Sequence, residues 1–190
     1  GFNINDVMVI KAPPGDINSN ERQDIISFNA FKTEVSKQSG VSMITNAGEI
    51  PGEAISWGTN IRLESQSEEA SVSTKLVSMG LEFIDFLELE TVAGRSLRQG
   101  DSPWKNGDVV INEKLAELLG FDSAMQAVGA KLKGFYAPLQ VRGVIENHHH
   151  TSLHYDYEPM AYILSSWSEY YFVRFNISNS LNASERQSTF

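Results

Sequence analysis

The 190-residue chain contains no cysteine, which removes disulfides, thiolate metal sites and cysteine nucleophiles together. It has no long apolar run either. Stretches such as Val109-Val110-Ile111 and Met160-Ala161-Tyr162-Ile163-Leu164 fall far short of the roughly 18 to 20 residues that cross a bilayer. Positive charge is scarce: 15 Lys+Arg stand against 24 Asp+Glu, a formal net charge of −9, with no basic stripe to track phosphates, so nucleic acid is not an expected partner. Neither G-x-G-x-x-G nor G-x-x-x-x-G-K-[ST] occurs, so the glycines build no phosphate cradle. G-x-S-x-G and H-E-x-x-H are missing as well, which leaves a serine hydrolase or a zincin without support. What the chain does have is a core: ten Phe, six Tyr and three Trp, with 41% hydrophobic residues, exclude disorder and allow one ordinary domain or two small lobes.

The ends read as those of an excised piece. No initiator Met and no signal segment open the chain, and Asn182 with Glu185 three places on marks a helix start shortly before the last residue, Phe190. A sheet edge left open by a missing final helix and strand is therefore expected.

Val7-Met8-Val9-Ile10 predicts a buried strand, closed by Pro13-Pro14-Gly15-Asp16. From Asn18, with Glu21 as its capping partner, Ile25, Phe28, Phe31 and Val35 recur at three- and four-residue steps up to Gly40, an amphipathic helix. A strand over 41–45 completes a β-α-β unit, and Pro51-Gly52 is the natural boundary. Beyond it, residues 56–63 and 71–77 read as strands around a polar turn, and 81–89 favours helical spacing, ending at Gly94-Arg95. Val109-Val110-Ile111 leads into Asn112 as the cap of a helix bearing Leu115, Leu118 and Leu119 and stopping at Gly120. Ser123 and Gln126 make a second capping pair, and residues 131–135, 139–145, 160–164 and 170–175 read as further strands.

Every histidine lies in one short segment: His148, His149, His150 and His154. Imidazole is the commonest metal ligand; His150 and His154 would share a face in a helix, His148 and His150 in an extended segment. A metal-binding protein or metal-dependent enzyme is thus the alternative function. No catalytic spacing supports it, and clustered loop histidines more often form hydrogen bonds or face solvent. Gly94-Arg95 reads as a positive-φ glycine followed by an arginine paired with one of Glu82, Asp85, Glu88 or Glu90 rather than as an anion clamp. Along 170–175, Tyr171, Val173 and Phe175 alternate with Tyr170, Phe172 and Arg174, which places core on one side and an edge on the other.

Four segments in order resemble the MacB-like periplasmic core domain of ABC transporter permeases. They are Met79-Gly80-Leu81-Glu82-Phe83-Ile84 through Leu89 with Ala93-Gly94-Arg95-Ser96-Leu97; Val109-Val110-Ile111-Asn112-Glu113 with Leu118-Leu119-Gly120; Val128-Gly129-Ala130-Lys131; and Val141-Arg142-Gly143-Val144-Ile145-Glu146-Asn147 with His149, Ser152-Leu153-His154 and Pro159. The opening Gly1-Phe2 and Val7-Met8-Val9-Ile10 are similar to the start that follows a transmembrane helix in these permeases. The resemblance implies an α+β fold of two lobes, a porter-like β-α-β lobe from residues 1–50 and 165–190 and an inserted smaller Sabre-like lobe from 51–164. It implies an extracytoplasmic, non-enzymatic domain at the periplasmic face of the inner membrane, in the MacB, LolC/LolE and FtsX group, that transmits ATP-driven conformational change to cargo. Its expected partners are its own transmembrane helices, a cytoplasmic ATPase subunit or domain, a second permease copy, and a periplasmic adaptor with an outer-membrane channel or lipoprotein cargo. No catalytic residue and no cofactor are implied. His149 and His154 stand where the family commonly has histidine, His148 and His150 replace aromatics and Asn147 replaces Asp, so a structural turn after a core strand is the role implied for that segment. A free solute-binding protein is a third reading.

Overall fold

The computed structural model describes residues 6–13, 21–101, 107–134, 138–150, 156–165 and 168–176. Among these residues ten strands and four α-helices follow one another as β1 (Val7–Lys11), α1 (Glu21–Val35), β2 (Val41–Ala47), β3 (Gly58–Leu63), β4 (Val72–Met79), α2 (Phe83–Phe86), β5 (Thr91–Gly94), β6 (Gly107–Asn112), α3 (Glu113–Leu118), α4 (Ala124–Ala127), β7 (Lys131–Lys133), β8 (Leu139–Ile145), β9 (Met160–Leu164) and β10 (Tyr170–Phe175). The α+β class expected from the sequence holds. The helix start at Asn182 lies outside the described residues, as do Asn18 and the turn at Pro14-Gly15-Asp16.

Two sections make up the sheet. In the first, β10 lies antiparallel between β1 and β2, so the two strands of the β-α-β unit are parallel but not neighbours. In the second, β4, β3, β7, β8, β6 and β9 pair in that order, and β9 then pairs parallel with β4, so the hydrogen bonding closes into a six-stranded ring. The sections meet at one register pair, Ala47 opposite Met79. β5 extends the ring by pairing with the far half of β8.

Alternation along the strands feeds two apolar clusters. On β6, Val109 and Ile111 enter one and Val110 the other; on β9, Ala161 and Ile163 part from Met160 and Tyr162 in the same way. Helices α3 and α4 cover the first cluster through Leu115, Ala116 and Ala127, and α2 covers the second through Phe83, Ile84 and Phe86. This second cluster includes Ala47 of β2 and Phe172 of β10 beside Val110 and Tyr162 of the ring, so one core runs through both sections.

Several expectations change. The strand β1 is not buried: Met8 is 49% and Val9 41% exposed, because among the described residues β1 pairs on one edge only, with β10. Ile25 of α1 and Leu118 of α3 face outward rather than into the core. Strand β10 is covered on both sides instead of one. Tyr171 packs against Phe28 and Phe31 of α1 at centroid distances of 5.2 and 4.8 Å, while Phe172 meets Phe83 and Phe86 edge-on at 5.9 and 6.0 Å. The segment 81–89 forms only one helical turn, because Glu88 takes a left-handed φ of 59° and redirects the chain into β5, a strand the sequence did not announce.

Candidate functional site

The histidine segment leaves β8 at Ile145, and two reciprocal anchors fix it. The Glu146 amide donates to the Glu90 carbonyl at 2.9 Å, and the Glu90 amide donates to the Glu146 carboxylate at 3.0 Å. The Asn147 amide donates to Glu113 Oε2 at 3.1 Å while Asn147 Oδ1 accepts from the Lys114 amide at 2.8 Å, tying the segment to the first turn of α3. One residue earlier, Asn112 is wholly buried. Its Oδ1 accepts from the amides of Leu115 at 3.0 Å and Met160 at 2.9 Å, and its Nδ2 donates to the Glu158 carbonyl at 2.8 Å. Asn112 thus caps α3 as expected and also fastens the start of β9. The second capping pair differs: Ser123 makes no side-chain cap, and Gln126 Oε1 accepts from the Asp122 amide instead.

Beyond Asn147 the chain is irregular rather than helical, which brings His148 and His150 together with ring centroids 6.4 Å apart, as the extended alternative predicts. Both rings are buried, and His148 Nε2 lies 3.1 Å from the hydroxyl of buried Tyr162, which also contacts Met160 Sδ at 3.4 Å. His149 points elsewhere and stacks on Tyr157 at 4.5 Å. His154 lies outside the described residues. Burial, reinforced by the neighbouring His150, lowers the His148 pKa to about 4, and burial lowers that of His150 as well. Burial also pushes the Tyr162 phenol up, so the cluster is neutral at physiological pH. Among the described residues no three His, Cys, Asp or Glu side chains converge as metal ligands. The arrangement can do what neutral buried imidazoles do: exchange hydrogen bonds and resist protonation.

At Gly94-Arg95 the glycine takes φ +70°, as its position requires, but the arginine pairs with a different acid. Arg95 grips Asp101 through both oxygens, at 2.7 and 2.9 Å, raising the guanidinium pKa and lowering that of the carboxyl. Of the acids proposed for it, Glu82 pairs with Lys32 and Glu88 sits 3.3 Å from Arg174. The reason is geometric: β5 carries Arg95 past β8, where Gly94 and Gly143 face each other so closely that a Cβ on Gly94 would lie 2.3 Å from the Arg142 carbonyl.

Two open cavities flank this framework. One, of about 380 Å³, lies between α1 and the stretch after β4, lined by Ile25, Phe28, Leu81 and Leu164 with the Lys32–Glu82 pair at its side. The other, of about 500 Å³, lies where the two sheet sections meet, and Glu49, Trp57 and Glu169 line it. The sequence marked none of these three residues, since they come from separate strand ends with no fixed spacing.

No family model and no curated protein matches the sequence. Solved structures do match. The periplasmic region of MacB from Actinobacillus actinomycetemcomitans superposes with a TM-score of 0.59 at 18% identity, covering 96% of this chain and 80% of that one. The fold is that of the MacB-like periplasmic domain. The extracellular domain of the ABC-type transporter YknZ from Gram-positive bacteria gives 0.57 at 14% identity over 93% of this chain and 86% of that one. A permease-protein domain from Porphyromonas gingivalis gives 0.54 at 19%, over 76% of this chain and 60% of that one. In this MacB-like fold two of the motif segments that carried the sequence resemblance interlock: Glu113 accepts from the Asn147 amide, and Asn112 bonds to Glu158 and Met160 on either side of Pro159. None of the described helices is long and apolar enough to cross a membrane.

Proposed function

We propose that the chain is the extracytoplasmic domain of an ABC transporter permease of the MacB, LolC/LolE and FtsX group, a non-enzymatic module that passes ATP-driven movement of transmembrane helices to cargo or a periplasmic partner. The single observation that carries this reading is the likeness over 96% of the chain to the periplasmic region of MacB. Residues 1–50 and 165–190 would form the porter-like lobe joined to the membrane helices, and 51–164 the Sabre-like lobe that meets cargo, adaptor or lipoprotein. The packing suits such a role. Ala47 and Phe172 share one core with Phe83, Val110 and Tyr162, so displacement of the β1-β10-β2 section moves the ring as a body rather than dissipating at a hinge. ATP hydrolysis belongs to a separate cytoplasmic domain or subunit, and the permease would act as a dimer.

Two observations test the proposal. The native gene should encode apolar runs of about twenty residues flanking this domain. A permease lacking residues 52–164 should still reach the membrane and assemble with its ATPase but lose export of drugs, peptides or lipoproteins. Full export by the deleted permease overturns the reading.

A further inference from the structure

The cavity where the two sheet sections meet has a chemical bias that the proposed transmission does not use. Five chain segments converge on it: Glu49 follows β2, Ser56 and Trp57 precede β3, Ser78 belongs to β4, Ser165 follows β9 and Glu169 precedes β10. Strand ends are held by their ladders, so these side chains come from a fixed frame: the Gly48 amide donates to the Ser78 carbonyl at 2.9 Å, the Ser165 amide to the Met79 carbonyl at 3.1 Å, and the Leu76 amide to the Trp57 carbonyl at 3.1 Å.

The lining is one-sided in charge. Two carboxylates and no Lys or Arg face the space among the described residues, in a chain of net charge −9. Ser56 donates to Glu49 Oε1 at 3.2 Å, which orients that carboxylate and leaves Oε2 for an incoming donor. Ser78 is only 2% exposed and lines the cavity, which adds a hydroxyl to its polar lining. Trp57 adds the aromatic surface with the strongest attraction for cations. A volume of about 500 Å³ lies within the range of small-molecule sites.

We propose that this cavity binds an organic ammonium ion, with the charge held between Glu49 and Glu169, the apolar body against Trp57, and an N–H or hydroxyl of the ligand reaching Ser78. Anions are excluded by the carboxylates, and a neutral ligand leaves both of them unpaired. The site holds whether or not the chain belongs to a permease, since it rests on the cavity alone.

Calorimetric titration of the 190-residue chain with benzylammonium and benzyltrimethylammonium, against neutral benzyl alcohol and anionic benzoate, tests it. The expected result is one-to-one binding of the cations at least tenfold tighter than of benzyl alcohol, none of benzoate, and weakening as salt rises. Glu49→Gln together with Glu169→Gln should lower cation affinity at least tenfold, Trp57→Leu by a similar factor, and Trp57→Phe by less, each with an unchanged circular dichroism spectrum. If the double variant fails to fold, Glu49→Gln alone still predicts a severalfold loss. No heat with either ammonium ion, equal affinity for benzyl alcohol, unchanged affinity in folded variants, or calcium binding that displaces no ammonium ion and is the only binding seen would each overturn the assignment.

Discussion

Glu113 and Asn147, 34 residues apart, clamp each other's segments: the Glu113 carboxylate takes the Asn147 amide at 3.1 Å while Asn147 Oδ1 takes the amide of Lys114, next to Glu113, at 2.8 Å. The exchange fastens the exit of β8 to the first turn of α3, and it explains why an acceptor is needed at position 147. Asn147→Ala leaves an α3 amide without its acceptor and should cost about 1–2 kcal/mol in urea unfolding. Asn147→Asp keeps the acceptor and should recover more than half of that loss; a variant as unstable as the alanine would show that the amide, not the acceptor, matters.

Asn112 serves three partners from a fully buried position, so its removal strands two amides and a carbonyl. Asn112→Ala should destabilise by about 3 kcal/mol, more than a surface cap. Asn112→Asp should also be costly, because it turns the Nδ2 donor into an oxygen facing the Glu158 carbonyl. Denaturation midpoints of the two variants check both statements.

Gly94 combines φ +70° with a Cβ position 2.3 Å from the Arg142 carbonyl, so Gly94→Ala meets strain and a clash with backbone together. A loss of about 2–4 kcal/mol is expected, whereas Gly120→Ala, with nothing within 4 Å of its Cβ, should cost only the φ strain of about 1 kcal/mol. Equal losses at the two sites would show that the close approach to β8 carries no energy.

The pH dependence follows from His148. Its folded pKa of about 4 lies below the ordinary 6.5, with burial first and His150 second among the causes; Glu146 opposes the shift, and Lys75 acts on His150. Above pH 6.5 both folded and unfolded forms are neutral and nothing is lost. As pH falls from 6.5 toward 4 the unfolded chain takes up a proton that the folded one refuses, so stability declines by up to about 3 kcal/mol and levels off below 4. His150 steepens the same limb. Melting temperature against pH should therefore fall through this window, and His148→Phe, which keeps the ring, should flatten the slope.

Phe172 joins the two sheet sections through Phe83 and Phe86. With one core shared, thermal unfolding should be a single transition, and Phe172→Ala should lower it by about 3–5 kcal/mol without splitting it. Two resolved transitions in the parent protein would contradict the shared core and, with it, rigid transmission.

Local pattern by itself determined much of this. Strands β8, β9 and β10 fall where the apolar runs begin and end, because a continuous or alternating apolar run bounded by polar residues has few other ways to be buried. The cap at Asn112 and the stop at Gly120, with φ +93°, are likewise local, set by one side chain and one missing Cβ. Tertiary structure decided which partners meet. Nothing within residues 7–47 foretells that β10 inserts between β1 and β2, leaving Met8 and Val9 at an edge. Arg95 found Asp101 rather than the acids of 82–90 because the approach of β5 to β8 fixes its direction, and Glu88 entered the left-handed region with Arg174 beside its carboxylate. His148 and His150 face inward because the Asn147 clamp aims the segment at Tyr162, and the cavity at Trp57 exists because five distant segments end at one place. Periodicity states how buried a residue is to be; only the closed ring of pairings states against what.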